Sequence, residues 1–401
     1  MKNYQDTETG GIWAFEGDYD PFSAGNRNIP KTLTALVQPK PDESHVWYQG
    51  RWIKQEDAPP GYTPPISSVP SYNPAWMVHM RPYTAVHRGA TSGLVITLEQ
   101  INSNSYDGSK LAEVVTTLPL NNTTGLSALV SYDGTIAIPQ CTDYPSKVEG
   151  VRKLNEILCS ILLGGIHAEV LHAEELIIGA LLEKTKLANY TPSLHASLRS
   201  NWAGPNDRLL LLMPSRVLMV EELHSAYTEG HKVLQTLDNF TPFFLLSGYT
   251  SMVYRNNSDA LSNLWIVVEQ LTEHLWVTKY MKHRSSFPDF VTKAYSEFKR
   301  TNSLGRISTK HELLYLSNVL SAECHEVLNI VRGERNDLAH RGIVPSSKLI
   351  EDLWSVLPEL LEVCSGIESI GLRRLYGGVV ENWGVPHRTN FDEWMELAGR
   401  L

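Results

Sequence analysis

Short runs of alternating apolar and polar residues fill the first 145 residues, and helical spacing replaces them from about residue 146. One hairpin is predicted over residues 46–53, with its turn at Gln49-Gly50, and another over 128–138, because Asp133-Gly134 suits a type I′ turn. A further strand is expected over 94–98. The prolines of residues 58–74 favour an extended surface segment.

Helical spacing continues from residue 151 to 183, with an interruption at Gly164-Gly165. More helices are predicted over 215–236, 258–283, 288–300, 310–332, 335–341 and 346–370. The helix over 310–332 is expected to end at Gly333, because glycine costs about 1 kcal/mol relative to alanine inside a helix. Its predicted buried stripe consists of Leu313, Leu314, Leu316, Val319, Leu320, Cys324, Val327, Leu328 and Val331.

The predicted fold class is therefore α+β, with a β-containing N-terminal region followed by an all-α C-terminal helical bundle. Residues 1–145 are expected to form a β- and loop-rich domain, 146–250 a helical connecting region and 251–401 a helical domain.

Composition narrows the class of protein. The 401 residues are 42% hydrophobic and 20% charged, which is typical of a soluble globular protein. The longest apolar runs, such as 161–166, fall far short of the roughly 20 residues that a membrane span needs. Residues 1–11 contain Asp6 and Glu8 and do not resemble a secretory signal, so a cytoplasmic location is expected. The four cysteines lie far apart, which argues against a zinc ribbon or a disulfide framework.

Charge is distributed unevenly along the chain. The net charge is −9, but residues 251–350 carry 13 basic and 10 acidic side chains, a net of +3. Residues 279–310 hold 8 basic and 2 acidic side chains. The predicted RNA-binding residues of this segment are Lys279, Lys282, Arg284, Lys299 and Arg300, although a solvated helix face would show the same pattern.

An arginine followed by four to six residues and a histidine occurs three times, where chance predicts about two occurrences. The pairs are Arg81–His87, Arg306–His311 and Arg335–His340. Only the third has asparagine directly after the arginine and follows a long amphipathic helix. About 65 residues upstream lies a helical run with a Leu-Trp-x-x-x-Glu-x-Leu pattern, from Leu264 to Leu271.

Together, these two segments resemble the HEPN ribonuclease domains, particularly those of the ApeA-like group of bacterial defence proteins. The resemblance covers roughly residues 255–375. It implies a metal-independent endoribonuclease without a cofactor, a homodimer with the two motifs face to face, and a toxin-like role in antiviral defence. It also implies RNA as the partner, with transfer RNA as a common target, and an unidentified trigger sensed by the N-terminal region. Glu269 is expected to face the motif helix, with Arg332 and Arg341 at the edge of the site.

The chemistry of RNA cleavage explains these residue types. His340 is the predicted proton-transfer residue, because imidazole exchanges protons near neutral pH. Arg335 is the predicted phosphate clamp, and Asn336 lies four residues from His340, where it can orient the imidazole or bind phosphate.

Three other interpretations remain open. Arg335 can instead pair with Asp337 or Glu334 while His340 caps a carbonyl at a helix end. The domain can be a non-catalytic helical module for dimerisation or binding. Two Glu-x-x-His pairs, Glu169–His172 and Glu221–His224, are a more remote sign of a di-metal carboxylate protein.

Overall fold

Strands dominate the first part of the chain, and helices dominate the rest. The computed structural model describes residues 2–7, 12–15, 32–34, 45–48, 51–59, 73–83, 85–87, 111–121, 123–182, 185–189, 193–200, 217–280 and 306–375. These residues form two compact units, one of residues 1–73 with 181–185 and one of residues 74–180 with 186–401.

The first unit contains two small antiparallel sheets. One has the order β2-β1-β3, with β1 Lys2–Asp6, β2 Ile12–Phe15 and β3 Leu33–Thr34. The other is a hairpin of β4 His45–Tyr48 and β5 Arg51–Lys54, in which Trp47 lies opposite Trp52. The hairpin predicted over 46–53 is confirmed.

A six-stranded sheet, in the order β12-β11-β6-β10-β9-β8, supports the second unit. Its strands are β6 Asn73–His79, β8 Val114–Leu118, β9 Ala128–Ser131, β10 Thr135–Pro139, β11 Ile177–Leu182 and β12 Lys186–Asn189. Strands β7 Ala85–His87 and β13 Val217–Met219 form a separate parallel pair. The β9–β10 hairpin confirms the strands predicted over 128–138, but the turn is not type I′. Three residues, 132–134, join the strands, and only Gly134 has a positive φ (81°).

Eight α-helices are present in the described part of the chain. They are α1 Lys147–Leu163, α2 Leu194–Ser200, α3 Val220–Gln235, α4 Pro242–Val253, α5 Asn257–Leu275, α6 Ile307–Leu316, α7 Ala322–Arg341 and α8 Ser347–Ser365. A π-helical turn, Trp276–Tyr280, extends α5, and short 3-10 turns cover Gln55–Asp57, Ala173–Glu175 and Gly371–Arg374. None of the helices in these ranges is both long and apolar enough to cross a bilayer.

Two glycines bring α1 and α3 together. A Cβ at Gly230 would lie 1.8 Å from the Ser160 carbonyl oxygen, and one at Gly164 would lie 2.0 Å from the Ala226 carbonyl oxygen. The backbones therefore approach more closely than any other residue type would allow. A single hydrophobic core then runs from Ile136 in the sheet to Leu264 and Leu360 in the helices.

A mixture of strands and helices is confirmed, but several predicted elements are wrong. The helix predicted over 151–183 ends at Leu163, and residues 177–182 form β11 instead. A short apolar run such as this is compatible with a helix or a strand. Here it forms a strand because it pairs with β6. The strand predicted over 94–98, the helix over 288–300 and most of segment 58–74 lie outside the described residues.

The predicted helix break at Gly333 is also wrong. The break lies at residues 317–321, between α6 and α7, and α7 continues through Gly333 to Arg341. Asn318 has a left-handed φ of 54°, and Ser321 caps α7, so both local signals favour this position. Leu316, predicted to be buried, is 72% exposed at the end of α6.

The HEPN-like arrangement of the helices and the division into domains at 145 and 250 stay predictions.

Candidate functional site

Helix α7 carries the Arg335–His340 motif in its last two turns. The helix begins where the Ser321 hydroxyl accepts a hydrogen bond from the Cys324 N–H at 3.1 Å, and it ends at Gly342, whose φ of 66° is left-handed. Cys324, Leu328 and Val331 form its buried face. The motif is therefore held on a rigid, capped helix.

Arg335 lies on the side of α7 that faces the core, and the other two motif residues lie outside it. At 100° per residue, Arg335 continues the stripe of Leu328 and Val331 and is half-buried, whereas Asn336 and His340 are exposed. Arg335 and His340 are about 140° apart around the helix axis. One chain thus presents its guanidinium and its imidazole in different directions.

The contacts of the motif differ from those of an ordinary helix end. Arg335 Nη1 donates to Asn336 Oδ1 at 3.4 Å, and this is its one hydrogen bond to the described part of the chain. Asp337 is occupied by Arg341, whose Nη1 lies 3.2 Å from both carboxylate oxygens. Within the same residues, neither Asp337 nor Glu334 forms an ion pair with Arg335, and His340 makes no hydrogen bond to a carbonyl. Asn336 contacts Arg335 and not the imidazole.

Arg332 lies one turn before Arg335 and is half-buried. Its Nη1 atom is buried and has no hydrogen-bond partner in the described ranges. The pKa of His311 is lowered to about 4, mainly because the side chain is buried and secondly because the positive charge of Arg332 is nearby. His311 itself is 2% exposed, lies 2.9 Å from the Thr272 hydroxyl through Nε2, and packs edge-on against Trp265. His311 is therefore part of the helix packing, whereas Arg306 is exposed at the N-terminal end of α6.

Glu269 lies half-buried on α5 and accepts a hydrogen bond from Trp265 Nε1 at 2.7 Å, one turn earlier on the same helix. This contact explains the Trp-x-x-x-Glu spacing as a local bond within the helix. No described hydrogen bond or ion pair joins Glu269 to the motif residues.

Of the predicted RNA-binding residues, only Lys279 is described, and it is exposed on the π-helical turn after α5. Lys282, Arg284, Lys299 and Arg300 lie outside the described residues.

The Glu169–His172 pair is not a helical pair. Both residues lie in the non-helical segment between α1 and the Ala173–Glu175 turn, and only Glu221–His224 lies on a helix, α3. His224 Nε2 lies 2.7 Å from the Thr116 hydroxyl. No group of three or more His, Cys, Asp or Glu suited to a metal occurs in the ranges that the structure describes.

Glu169 instead belongs to a buried polar cluster that spacing did not reveal. The Tyr254 hydroxyl donates to its carboxylate at 3.1 Å, and His167 Nε2 lies 3.5 Å away. Burial opposes its ionisation, but His167, Arg199 and Arg81 together hold the pKa of this carboxyl below its usual value. Arg199, 1% exposed, donates to the carbonyls of His79, Val170 and Glu169, so the cluster ties α2 to the sheet.

The chain matches no protein-family model, no curated protein and no solved structure.

Proposed function

We propose that this chain is a metal-independent endoribonuclease whose active site contains Arg335, Asn336 and His340. The observation that supports the proposal is how these side chains are paired with their neighbours. Arg335 forms no ion pair with a described carboxylate, and the His340 imidazole is exposed and makes no described hydrogen bond, although acidic residues stand beside both. Asp337 lies two residues from Arg335, on another side of the helix, and pairs with Arg341 one turn further along.

These groups match the needs of RNA cleavage by its own 2′-hydroxyl. The imidazole of His340 removes the 2′-proton or protonates the leaving 5′-oxygen, and the guanidinium of Arg335 holds the phosphate oxygens as their charge grows. The 2′-oxygen forms a bond to phosphorus while the bond to the 5′-oxygen breaks. The products are a 2′,3′-cyclic phosphate and a 5′-hydroxyl.

Two copies of the chain complete the site in this proposal. Because Arg335 and His340 point about 140° apart, the Arg335 of one copy acts with the His340 of the other. The exposed face of α7, which carries His340, leaves room for a second helix. Gly333 lies on this face, where a Cβ would meet no atom within 4 Å, and Ile330, one turn earlier on α7, is 53% exposed. A glycine near an exposed apolar residue permits the close approach of a second helix.

The wider role remains a proposal that rests on the family resemblance. A nuclease of this kind acts in toxin-like antiviral defence, with transfer RNA as a candidate target, and the region of residues 1–145 restrains it until a trigger binds. Single-stranded loops are the expected RNA element, because their bases are free to be recognised.

Purified protein tests the nuclease directly. In the presence of EDTA, we expect the wild type to cut RNA and leave cyclic phosphate ends, and Arg335→Ala and His340→Ala to reduce the rate by about 100-fold or more. Lys348→Ala is the matched control, because it removes an exposed cation from the neighbouring helix α8. Equal rates for His340→Ala and the wild type would reject the proposal.

The exposed apolar residues of α7 also favour a second function, a non-catalytic module for dimerisation or binding. In that case the protein forms a dimer, and neither the wild type nor the variants cut RNA.

A further inference from the structure

A cleft of about 670 Å³ lies in the second unit, far along the chain from the motif. It opens between the first half of α1, the end of α3, and the loops that follow β8 and β10. Its lining includes Asn121, Asp143, Arg152, Glu156 and Gln235. The volume falls in the range of about 300–1,000 Å³ that is usual for small-molecule sites.

Three contacts fix one wall of the cleft. Along α3, His224 bonds to Thr116, the Tyr227 hydroxyl donates to the Pro119 carbonyl at 2.6 Å, and His231 bonds to Asn121 at 2.9 Å. This row ties α3 to successive residues of β8 and the following loop. The wall is therefore preformed, as a binding site requires.

The amide groups in the cleft have a defined orientation. The nitrogens of Asn121 and Gln235 lie 2.9 and 3.1 Å from the same atom, His231 Nε2. Burial lowers the pKa of His231, which favours the neutral imidazole, and a neutral imidazole can accept from amide nitrogens through Nε2. The two amide oxygens make no hydrogen bond within the described ranges, so they are available to accept N–H or O–H groups.

The cleft is lined by two cations, Arg152 and Lys153, and two carboxylates, Asp143 and Glu156, of which only Lys153 and Glu156 form an ion pair with each other in the described residues. Lys153 is paired with Glu156 at 2.7 Å, and both oxygens of Asp143 accept bonds from Thr123. Arg152 is exposed at the edge and has no ion pair with any described carboxylate. Its planar guanidinium suits two oxygens of a phosphate.

We propose that this cleft binds a nucleotide, with the phosphate on Arg152 and the hydroxyl or amino groups of the nucleoside on the oxygens of Asn121 and Gln235. A lone anion would leave the amide oxygens and most of the volume unused. An uncharged nucleoside would leave Arg152 unused. A nucleotide is thus the ligand class that would use the unpaired cation, the two amide oxygens and a cleft larger than a phosphate or a nucleoside alone would fill.

Isothermal titration of the full chain tests the assignment with AMP, GMP, CMP and UMP, and with adenosine and inorganic phosphate as partial ligands. We expect at least one nucleotide to bind one site per chain. Arg152→Ala is expected to weaken it about ten- to hundredfold, the loss typical of a charged hydrogen bond, and Gln235→Leu to weaken it less. Lys232→Ala, which removes an exposed cation of α3 outside the lining, is expected to bind like the wild type.

Three results would overturn the assignment. These are no heat of binding with any of the four nucleotides, equal binding by Arg152→Ala and the wild type, and binding of inorganic phosphate as tight as that of the nucleotides, which would indicate a general anion site. Arg152 is exposed, so a folded variant is expected, and circular dichroism checks it. The result does not depend on the nuclease assay, because no residue of the cleft belongs to the motif.

Discussion

Buried His311 makes the stability of the protein sensitive to acid. Burial, with help from the charge of Arg332, lowers its pKa from 6.5 to about 4. Between these two values the unfolded chain binds a proton that the folded chain does not, so the free energy of unfolding falls as the pH drops from 6.5 toward 4. A shift of this size corresponds to about 3 kcal/mol. His79, whose pKa burial also lowers to about 4, adds a loss of the same sign.

Urea unfolding at pH values from 7.5 to 4 measures this effect. His311→Gln has a neutral side chain at every pH and can still bond to Thr272, so we expect its stability to fall less steeply than that of the wild type below pH 6.5. The difference grows toward pH 4 and is absent above pH 7. Parallel curves for the two proteins would mean that His311 is not responsible.

The three arginine–histidine pairs show what residue spacing alone can predict. His87 lies in strand β7, His311 is buried and bonded to Thr272, and His340 is exposed on α7. The spacing is alike in each case, but His311 is buried whereas His340 is exposed. The helical context of Arg335–His340 could be predicted from the sequence. The pairing of Asp337 with Arg341 follows once α7 is a continuous helix, because residues four apart face each other and residues two apart do not.

A substitution at Gly333 tests whether helix α7 is continuous. It lies within the helix, is exposed, and has no atom within 4 Å of an added Cβ. Gly333→Ala should therefore raise the free energy of unfolding by about 1 kcal/mol, because alanine loses less backbone entropy in a helix. Chemical denaturation measures the change.

Gly230 is the matched control on α3. Its added Cβ would lie 1.8 Å from the Ser160 carbonyl oxygen, so Gly230→Ala should lower the stability by about 1–3 kcal/mol despite the better helix propensity. If both substitutions stabilise the protein, α1 and α3 do not pack as closely as described here. If both destabilise it, either α7 is not a continuous helix at Gly333 or the added Cβ obstructs the second chain that the composite site requires.

Elements with strong local signals were predicted well. The hairpin at Asp133-Gly134 and the starts of α5 and α8, predicted at 258 and 346 and found at Asn257 and Ser347, follow from residues close in sequence. Predictions were wrong where contacts between residues distant in sequence determine the secondary structure. Strand β11 exists because β6 and β12 pair with it, and α7 passes through Gly333 because Leu328 and Val331 on one side are packed in the core.

On the scale of the whole molecule, the sheet and the helices of the second unit share a core. Ile138 of β10, Leu154 of α1 and Leu361 of α8 all belong to it. Near residue 146 the alternating pattern typical of strands ends and helical spacing begins. Such local patterns do not specify which faces of the strands and helices pack against each other. The contacts between segments distant in sequence could therefore not be predicted from the sequence.

A mixture of two inactive variants tests whether the nuclease site lies between two copies of the chain. In a symmetric dimer with composite sites, Arg335→Ala lacks both guanidiniums and His340→Ala lacks both imidazoles, so each variant alone is inactive. A mixed dimer regains one complete site, with Arg335 from one chain and His340 from the other. Unfolding and refolding the two variants together at equal amounts yields half mixed dimers, so we expect about a quarter of the wild-type rate. Refolding each variant separately before mixing is the control. No recovery in a mixture that forms dimers by light scattering would mean that each chain uses its own Arg335 and His340, which the angle of about 140° between them on α7 argues against.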